Sequence, residues 1–246
     1  MTQKAPTEHY TREYFEKWNY ADRPLGRFSM YWFARRYYAA LVRRYAPPSG
    51  KLLELGCGLG DLLSLLQDDF PSIGIDLIDY SVERTKLNAP RAEAYQMSAD
   101  DLSAFESGAF SAVVALHLVE HLVDPADVIR QVSQLLQPGG IFLFATPHPD
   151  YALRRFKDRE NDAIGKDKTH INVHSPAQWR AWCAQNGLEM VRHFGDGLWD
   201  VPYLPVIPKS VQFALFGSPA FLQVMTRTTL MPLALGVNQV GIARKR

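Results

Sequence analysis

The stretch LLELGCGLG, residues 52–60, decides the fold of this chain. Residues 52–55 read as a buried strand, and the leucine-rich run that follows Asp61 begins a helix. The three glycines between them let the backbone bend tightly and approach a ligand where a Cβ atom would block it. The free N–H groups at the start of the helix then point at that ligand. A strand, a glycine turn and a helix in this order are typical of a nucleotide-type cofactor site.

Strands and helices alternate along the chain after this turn. Apolar, β-branched runs indicate strands, and apolar residues at helical spacing indicate helices. The predicted strands are 51–55, 73–76, 93–96, 110–116 and 141–145, and the predicted helices are 61–68, 81–88 and 125–136. Pro138-Gly139-Gly140 is expected to separate the last helix from the strand after it. The order predicts an α/β fold with a doubly wound, mostly parallel sheet.

The two ends of the chain differ from this alternating core. Residues 34–45 have helical spacing and end at two prolines, so we interpret residues 1–48 as an N-terminal helical lid. Residues 195–236 lack a clean period and are interpreted as an insertion that caps the substrate. We therefore expect one domain, 1–246. Besides the lid and the insertion, it consists of a cofactor-binding core, 49–194, and a last strand with a basic tail, 237–246.

The amino-acid composition and charge of the chain argue against several classes of function. The net charge of +1 gives no support for nucleic-acid binding, and the two cysteines form no disulfide framework or zinc spacing. No apolar run reaches the roughly 18 residues of a membrane span. The polar start of the chain lacks the layout of a signal peptide. These features predict a cytoplasmic protein without nucleic-acid partners.

A glycine turn alone does not distinguish a dinucleotide from S-adenosylmethionine. Here the spacing is G-x-G-x-G with Glu54 before it, whereas the dinucleotide pattern places its third glycine one residue later. Asp76 ends the second strand, at a distance that suits a carboxylate holding both ribose hydroxyls. Residues 98–102 follow the third strand, where a contact to adenine is expected. These features favour S-adenosylmethionine.

Five pieces of the chain, in order and at matching spacing, resemble class I S-adenosylmethionine-dependent methyltransferases. The resemblance is to the branch of ubiquinone-pathway, small-molecule and glycan methyltransferases. The pieces are LLELGCGLG (52–60), GIDLIDYS (74–81), SADDL (98–102), FSAVVALHLVEHLVDP (110–125) and LLQPGGIFLFATPH (135–148). The resemblance implies a seven-stranded Rossmann-like sheet with an antiparallel last strand, and S-adenosyl-L-homocysteine as the product.

The resemblance also implies where the donor binds. The glycines line its methionine end, Asp76 holds the ribose and Asp100 lies near the adenine. The predicted donor-binding residues are Glu54, Gly56, Cys57, Gly58, Gly60, Asp76, Leu77, Ala99, Asp100, Asp101, Leu116 and His117. For two of these positions a structural role stays open: one of the paired aspartates 100 and 101 could instead cap a helix, and Cys57 could simply fill the turn.

Catalytic groups are expected at the carboxyl ends of the strands, where open α/β sheets bind ligands. Methyl transfer needs an acceptor held in line with the methyl group, and a hydroxyl acceptor gains from a base. In H-x-x-E-H, a helix would put His117, Glu120 and His121 on one face. Related proteins carry E-x-x-E-H there and some bind a divalent metal; His117 replaces that first glutamate, so we assign no metal.

A second histidine motif follows later in the chain. Residues 167–170, D-x-T-H, are similar to an element of family members that act on sugars and small molecules. We predict His170 as the general base, with His117 next and then His121, because imidazole titrates near neutral pH. Alternatively, these residues have only a structural role, as part of a surface loop that caps a helix beginning near Pro176.

Aromatic residues at both ends leave alternatives open. The aromatic residues near the N-terminus either form a lid over the donor or pack in the core of a helical segment. They are Tyr14, Phe15, Trp18, Tyr20 and Tyr31. Arg27 and Arg35 could meet the donor's carboxylate. The aromatic residues of 195–236 suggest an acceptor pocket, a homodimer surface or a peripheral membrane contact, and are Trp199, Tyr203, Phe213, Phe216 and Phe221.

The sequence thus predicts an enzyme that moves a methyl group from S-adenosylmethionine to a small-molecule acceptor. A hydroxyl of a natural product, a quinone precursor or a glycan is the expected acceptor. One alternative is an oxidoreductase or epimerase that uses NAD(P), although neither the dinucleotide spacing nor a Tyr–Lys proton relay is found. Another is a non-catalytic partner protein that binds S-adenosylmethionine.

Overall fold

The computed structural model describes residues 29–157 and 160–246, and the elements below belong to that part of the chain. Its strands are β1 (Lys51–Leu55), β2 (Ser72–Asp76), β3 (Glu93–Gln96), β4 (Phe110–Leu116), β5 (Leu136–Pro147), β6 (Leu188–Gly195) and β7 (Asn238–Lys245). The helices are α1 (Met30–Tyr45), α2 (Asp61–Leu66), α3 (Asp79–Asn88), α4 (Pro125–Leu135), α5 (Ala163–Lys166), α6 (Pro176–Gln185), α7 (Lys209–Gln212) and α8 (Ser218–Thr226). The predictions for Tyr14, Phe15, Trp18, Tyr20 and Arg27 lie outside the described residues.

The seven strands form one sheet in the order β3-β2-β1-β4-β5-β7-β6. Neighbours from β3 to β5 pair in parallel, with Leu53 opposite Ile73 and Val113, for example. Strand β7 pairs antiparallel with both β5 and β6. The order reverses beside β1, so the glycine turn after β1 lies at the crevice where such sheets bind ligands. The predicted mostly parallel fold with an antiparallel last strand is confirmed.

One predicted boundary is wrong. Pro138-Gly139-Gly140 does not separate a helix from a strand, because β5 already begins at Leu136, which pairs with Phe110. The pairing shifts register between Phe110 and Ala112, and Gly139 has a φ of +79°. A Cβ atom on Gly140 would lie 3.0 Å from the carbonyl oxygen of Phe110. The three residues therefore form an irregularity within the strand, where two backbones approach closely.

Each face of the sheet carries its own buried core. Alternate residues of β1 point to opposite faces, so Leu52 belongs to one core and Leu53 to the other. The C-terminal half of α1 packs into the first of these cores through Tyr38 and Leu41. The second core includes the fully buried Trp179 of α6. Helix α1 is therefore part of the folded core as well as a neighbour of the glycine turn.

The segment between β6 and β7 is more regular than the sequence predicts. It contains α7, a π-helical turn Phe213–Gly217 and α8, which follow one another without a break. A third apolar cluster lies between this segment and the loop after β5, and it consists of Tyr151, Ile164, Leu198, Tyr203 and Val237. Among the described residues, no helix is both long and apolar enough to cross a lipid bilayer.

Candidate active site

The glycine turn between β1 and α2 depends on left-handed backbone. Gly56, Gly58 and Gly60 have φ values of +66°, +54° and +77°, which residues with a Cβ atom rarely adopt. A Cβ atom on Gly60 would lie 2.9 Å from the Cα of Thr85, whereas one on Gly58 would meet nothing within 4 Å. The turn is therefore packed on one side and open on the other, and the open side leaves room for a ligand.

Asp76, at the end of β2, holds the turn in place. Its two carboxylate oxygens accept hydrogen bonds from the N–H of Gly58, at 2.9 Å, and from the N–H of Ile78, at 3.0 Å. Burial raises the pKa of this carboxyl, and the backbone N–H groups around it partly offset that effect. Each oxygen can accept a second hydrogen bond. Leu77 beside it is half exposed, at 48%.

A buried charged cluster lies against the same turn. Glu54 of β1 is surrounded by Tyr31 and Arg35 of α1 and by Asp61 of α2, and all four line a cavity of about 50 Å³. The other residues that line it are Gly56, Cys57, Gly58, Leu62 and Leu116. Burial raises the pKa of Glu54 to about 8, although the charge of Arg35 opposes this. Its Oε2 atom has no hydrogen-bond partner among the described residues, so the carboxyl suits a cationic ligand group.

The two aspartates after β3 differ in their surroundings. The carboxylate of Asp100 accepts from the N–H of Val123 at 3.1 Å and from the hydroxyl of Ser98 at 3.2 Å. It therefore joins the loops that follow β3 and β4. Asp101 is exposed and accepts from the N–H of Ser103 at 3.0 Å. Asp101 thus closes a turn of its own loop, whereas Asp100 helps to shape the crevice.

Strand β4 ends in a turn that places His117 at the carboxyl edge of the sheet. His117 has a φ of +55°, one of two positive values for non-glycine residues in the described chain. Its side chain is 44% exposed. Only the short 3₁₀ turn Val119–His121 follows, so the α-helix that would put H-x-x-E-H on one face does not form. The left-handed backbone breaks the helical register, and such strain is concentrated at functional sites.

Glu120 is a buried carboxylate between two histidines. It is 0% exposed, and neither of its oxygens has a hydrogen-bond partner among the described residues. The Nδ1 atom of His117 lies 3.6 Å from its Oε1. Burial alone would raise the pKa of Glu120, but the neighbouring imidazoles of His117 and His121 hold it below its ordinary value. An ionised Glu120 favours a proton on the ring nitrogen of His117 that faces it.

The loop that carries His170 packs against this turn. The Nδ1 atom of His121 lies 2.9 Å from the carbonyl oxygen of Thr169, and the rings of His121 and His170 are 5.0 Å apart. Potential ligand atoms of Glu120, His121 and His170 all lie within 4.8 Å of one another. One carboxylate and two imidazoles are ligands that suit several divalent ions. If a metal binds here, the structure points to His170 as the third ligand, in place of His117.

Partners within the chain already surround the ring of His170. Its Nδ1 atom lies 3.1 Å from the carbonyl oxygen of Ile164, and its Nε2 atom lies 3.6 Å from Oδ2 of Asp167. Asp167 in turn accepts from the N–H of Thr169 at 2.9 Å. The D-x-T-H motif therefore builds a local network that orders its own loop. His117, in contrast, follows directly on Leu116, which lines the cavity at the glycine turn.

Two polar residues at this edge, the buried His148 and the partly buried Asp196, are absent from the set predicted from sequence. His148 directly follows β5, and its Nδ1 accepts from the N–H of Asp150 at 3.0 Å. Asp196 directly follows β6 and accepts from the N–H of Asn238 at 2.8 Å and from the indole of Trp199 at 2.7 Å. Burial lowers the pKa of His148 and raises that of Asp196, which also senses the charge of His117. A polar residue directly after an apolar strand is the signal that could have identified both.

The comparison with protein families agrees with this geometry. The family model described as a methyltransferase domain matches residues 30–193, which is more than half of the chain. The chain belongs to the class I S-adenosylmethionine-dependent methyltransferases. The match covers α1, the glycine turn and β1 to β6. It removes the alternative of an NAD(P)-dependent oxidoreductase.

Relatives and solved structures give the same result for the fold. A ubiquinone biosynthesis O-methyltransferase of Leptothrix cholodnii is 28% identical over 162 residues, which are 58% of this chain and 65% of that protein. The chain thus matches slightly less than two thirds of that relative's length. A methyltransferase of Thermotoga maritima, described as S-adenosylmethionine-dependent and a possible histamine N-methyltransferase, has a TM-score of 0.64. It is 14% identical, and the alignment covers 95% of this chain and 97% of that one.

A second solved structure was determined with the product of the donor. The geranyl diphosphate C-methyltransferase of Streptomyces coelicolor, crystallised with Mg²⁺, geranyl-S-thiolodiphosphate and S-adenosyl-L-homocysteine, has a TM-score of 0.59. It is 14% identical, with 85% of this methyltransferase and 75% of that chain covered. S-adenosylmethionine is the cofactor of the family. The acceptors of these proteins differ, so the acceptor of this methyltransferase has to be argued from its own site.

Proposed function

We propose that this methyltransferase moves the methyl group of S-adenosylmethionine to a hydroxyl of a partly apolar small molecule, such as a quinone precursor, a phenolic natural product or a glycan. The observation that carries the proposal is the pairing of His117 with the buried carboxylate of Glu120 beside the donor's turn. A base is useful to a hydroxyl acceptor, whose proton must leave. The similarity to ubiquinone biosynthesis O-methyltransferases supports the same class of acceptor.

The glycine turn supplies the groups that the donor needs. We assign the ribose hydroxyls to Asp76 and the cationic methionine end to Glu54, whose buried Oε2 has no partner among the described residues. The open side of Gly58 leaves space for the donor to lie close to the backbone of the turn. The remaining predicted donor contacts are kept as part of this proposal, and they are Gly56, Cys57, Gly60, Leu77, Ala99, Asp100, Asp101, Leu116 and His117.

The assignment of Glu54 predicts that donor affinity depends on pH. With a pKa of about 8, Glu54 is mostly neutral below that pH, and ionising it to face a cation costs free energy. The affinity for S-adenosylmethionine should therefore rise as pH increases from about 6 to about 8, by up to about tenfold per unit. Calorimetric titration over this range measures it.

The variant Glu54→Gln is the matched control for that titration. It keeps the size of the side chain and removes the titrating group, so its affinity should be lower and nearly flat below pH 8. Below about pH 7 the donor's own amino group stays protonated, so a difference in slope there reports the ionisation of Glu54. Equal slopes in the two proteins would show that Glu54 does not face the donor's cationic end.

The proposed reaction gives each group one task. Bound S-adenosylmethionine supplies a methyl group that is activated by the attached sulfonium. Glu120 holds a proton on Nδ1 of His117, which leaves the lone pair on Nε2. Nε2 of His117 would accept the proton of the acceptor hydroxyl during the transfer, in which the donor's S–CH₃ bond breaks and S-adenosyl-L-homocysteine leaves. We assign to Asp196, which follows β6 at the same edge of the sheet, the stabilisation of the imidazolium that would result.

This assignment differs from the order predicted from sequence, in which His170 is the first candidate for the base. His170 lies close to Asp167 and to the carbonyl oxygen of Ile164, so both of its ring nitrogens face groups of its own loop. His117 is half exposed and adjacent to a cavity-lining residue. We therefore assign the base to His117, and we assign to His121 and His170 the positioning of the turn that carries Glu120.

A buried aromatic cluster lies between the loop after β5 and the segment before β7. The rings of Tyr151 and Tyr203 lie 6.3 Å apart, edge to face, and Phe216 packs 5.5 Å from Tyr203. These residues belong to the cluster formed between the loop after β5 and the segment before β7. Aromatic faces favour planar or apolar partners. We place the acceptor beside this cluster, and an apolar aromatic surrounding favours a phenolic or quinol hydroxyl over the hydroxyl of a sugar.

An acceptor panel tests the proposed function. The purified protein is incubated with S-adenosylmethionine and, separately, a catechol with an alkyl chain, an unmodified catechol, a hexose and a primary amine. Formation of S-adenosyl-L-homocysteine is measured for each. We expect the alkylated catechol to react fastest, and the product to carry its new methyl group on oxygen. Transfer to the amine alone, or to carbon, would contradict the proposal.

A further inference from the structure

The helical segment 209–226, between β6 and β7, has an apolar surface on its outer side. Val211, Leu215, Leu222 and Met225 recur at intervals of three, four and seven residues, which is the spacing of one stripe on a helix. Their exposed fractions lie between 45% and 61%. Four further exposed apolar side chains lie on the segment and its flanking loops, and they are Val206, Phe213, Phe221 and Leu230. We call these eight residues the apolar face.

Two glutamines lie on the inner side of the same segment. Gln212 and Gln223 are 0% and 1% exposed. The amide of Gln212 donates to the carbonyl oxygens of Leu204 and Ile207 and accepts from the N–H of Tyr203 at 2.7 Å. The amide of Gln223 bonds in the same way to the backbone of Gly195 and Met231. Turning the apolar face inward would leave these amides and backbone groups without partners, so the fold holds that face outward.

The charged residues of the chain segment that carries the apolar face have one sign. The last 46 residues, 201–246, contain no aspartate or glutamate and five basic residues. Lys209 begins the helical segment and Arg227 follows its end. The rest of the chain holds all 26 acidic residues. An outward helix with a large apolar stripe, flanking cations and no anions is the pattern of a helix that lies in a membrane interface.

We propose that the apolar face docks on a lipid bilayer that carries anionic headgroups. Leu215, Leu222 and the residues beside them enter the acyl boundary, and Lys209 and Arg227 meet the headgroups. A second copy of the chain fits the apolar face less well than an anionic bilayer does. In a two-fold contact the same face meets itself, and residues 201–246 offer no carboxylate to the cations that would then face each other.

Docking at the apolar face would bring the bilayer close to α1, the helix that neighbours the glycine turn. Phe221 of α8 packs edge to face on Phe33 of α1, at 5.9 Å, and the hydroxyl of Tyr37 donates to the carbonyl oxygen of Thr228. The same helix carries Arg35, which lines the cavity at the glycine turn. An acceptor with an apolar tail could then reach the crevice from the membrane. The docking proposal itself does not depend on the choice of acceptor.

Vesicle sedimentation tests this proposal directly. The full chain is mixed with vesicles of phosphatidylcholine alone, or of phosphatidylcholine and phosphatidylglycerol at two to one, and the bound fraction is measured. We expect binding to the anionic vesicles that weakens with added salt, and little binding to neutral ones. Leu222→Glu should lower the affinity about tenfold or more, since it puts a charge on the apolar face. Lys209→Glu should lower it mainly at low salt.

Leu87→Glu is the matched control, because Leu87 is 69% exposed on α3 and lies outside the apolar face. Its binding to vesicles should equal that of the unchanged protein, and all variants should bind S-adenosylmethionine normally. Three results would overturn the proposal. They are absence of vesicle binding, equal losses for Leu222→Glu and Leu87→Glu, and a concentration-dependent dimer that Leu222→Glu alone dissociates. The donor-binding readout keeps a failure of docking separate from a failure of the proposed function.

Discussion

Replacing Asp76 by asparagine should weaken S-adenosylmethionine binding about a hundredfold or more. The carboxylate has two tasks in the structure, because it accepts from Gly58 and Ile78 and is assigned to the donor's ribose. An asparagine keeps the volume but turns one acceptor oxygen into an N–H₂ group, which faces a backbone N–H. The turn and the donor then lose a charge-assisted acceptor together, at a cost of about 3 kcal/mol.

Calorimetric titration of the donor measures this effect, and Asp79→Asn is the matched control. Asp79 lies three residues further on, is exposed, and begins α3. Its substitution makes the same chemical change outside the crevice and should leave donor affinity within about twofold. Thermal unfolding should show both variants folded. Normal donor binding by Asp76→Asn would disprove the assignment of the ribose to this residue.

Replacing His117 by asparagine should lower kcat about a hundredfold to ten-thousandfold, the range that a general base contributes. Asparagine is chosen because it tolerates the left-handed backbone at this position, where φ is +55°. Donor affinity should fall far less than kcat, because His117 is one of many assigned donor contacts, whereas its ring alone takes the acceptor's proton. The loss should be greatest with a weakly acidic hydroxyl and smaller with an acidic phenol that ionises without help.

His170→Asn is the comparison that separates the two histidines. His170 holds its loop against the turn of Glu120, so its loss should lower thermal stability and reduce kcat far less than the change at His117. The loss of kcat in His117→Asn should grow as the acceptor hydroxyl becomes less acidic, whereas the loss in His170→Asn should not depend on the acceptor. The opposite pattern would return the role of base to His170, as the sequence alone predicts.

Local features of the sequence predicted the donor side of the site. The glycine turn, the residue at the end of β2 and the strands from 51 to 116 follow from short-range patterns, and the structure contains them at nearly the predicted bounds. The exception is Pro138-Gly139-Gly140, where a turn signal lies inside β5. There the pairing with Phe110 overrides local propensity, because the neighbouring strand supplies hydrogen bonds that a single sequence does not show.

The proposed acceptor side depends on contacts between distant residues. The spacing of H-x-x-E-H suggests one helix face, but His117 adopts a left-handed backbone and donates its N–H to Ala145 of β5. The pairing of His121 with the loop of Thr169 joins residues 48 positions apart. Asp196 reaches the site only because β6 ends at the same edge as β4.

The sequence by itself determined the α/β alternation, the glycine turn and the choice of S-adenosylmethionine, since each depends on a few adjacent residues. Only the tertiary structure decided which histidine stands beside the buried carboxylate and which side of the segment 209–226 faces outward. In that segment the period alone would bury Leu215 and Leu222, whereas the structure buries Gln212 and Gln223. The physical reason is that their amides satisfy backbone groups of loops that the fold brings next to the helix.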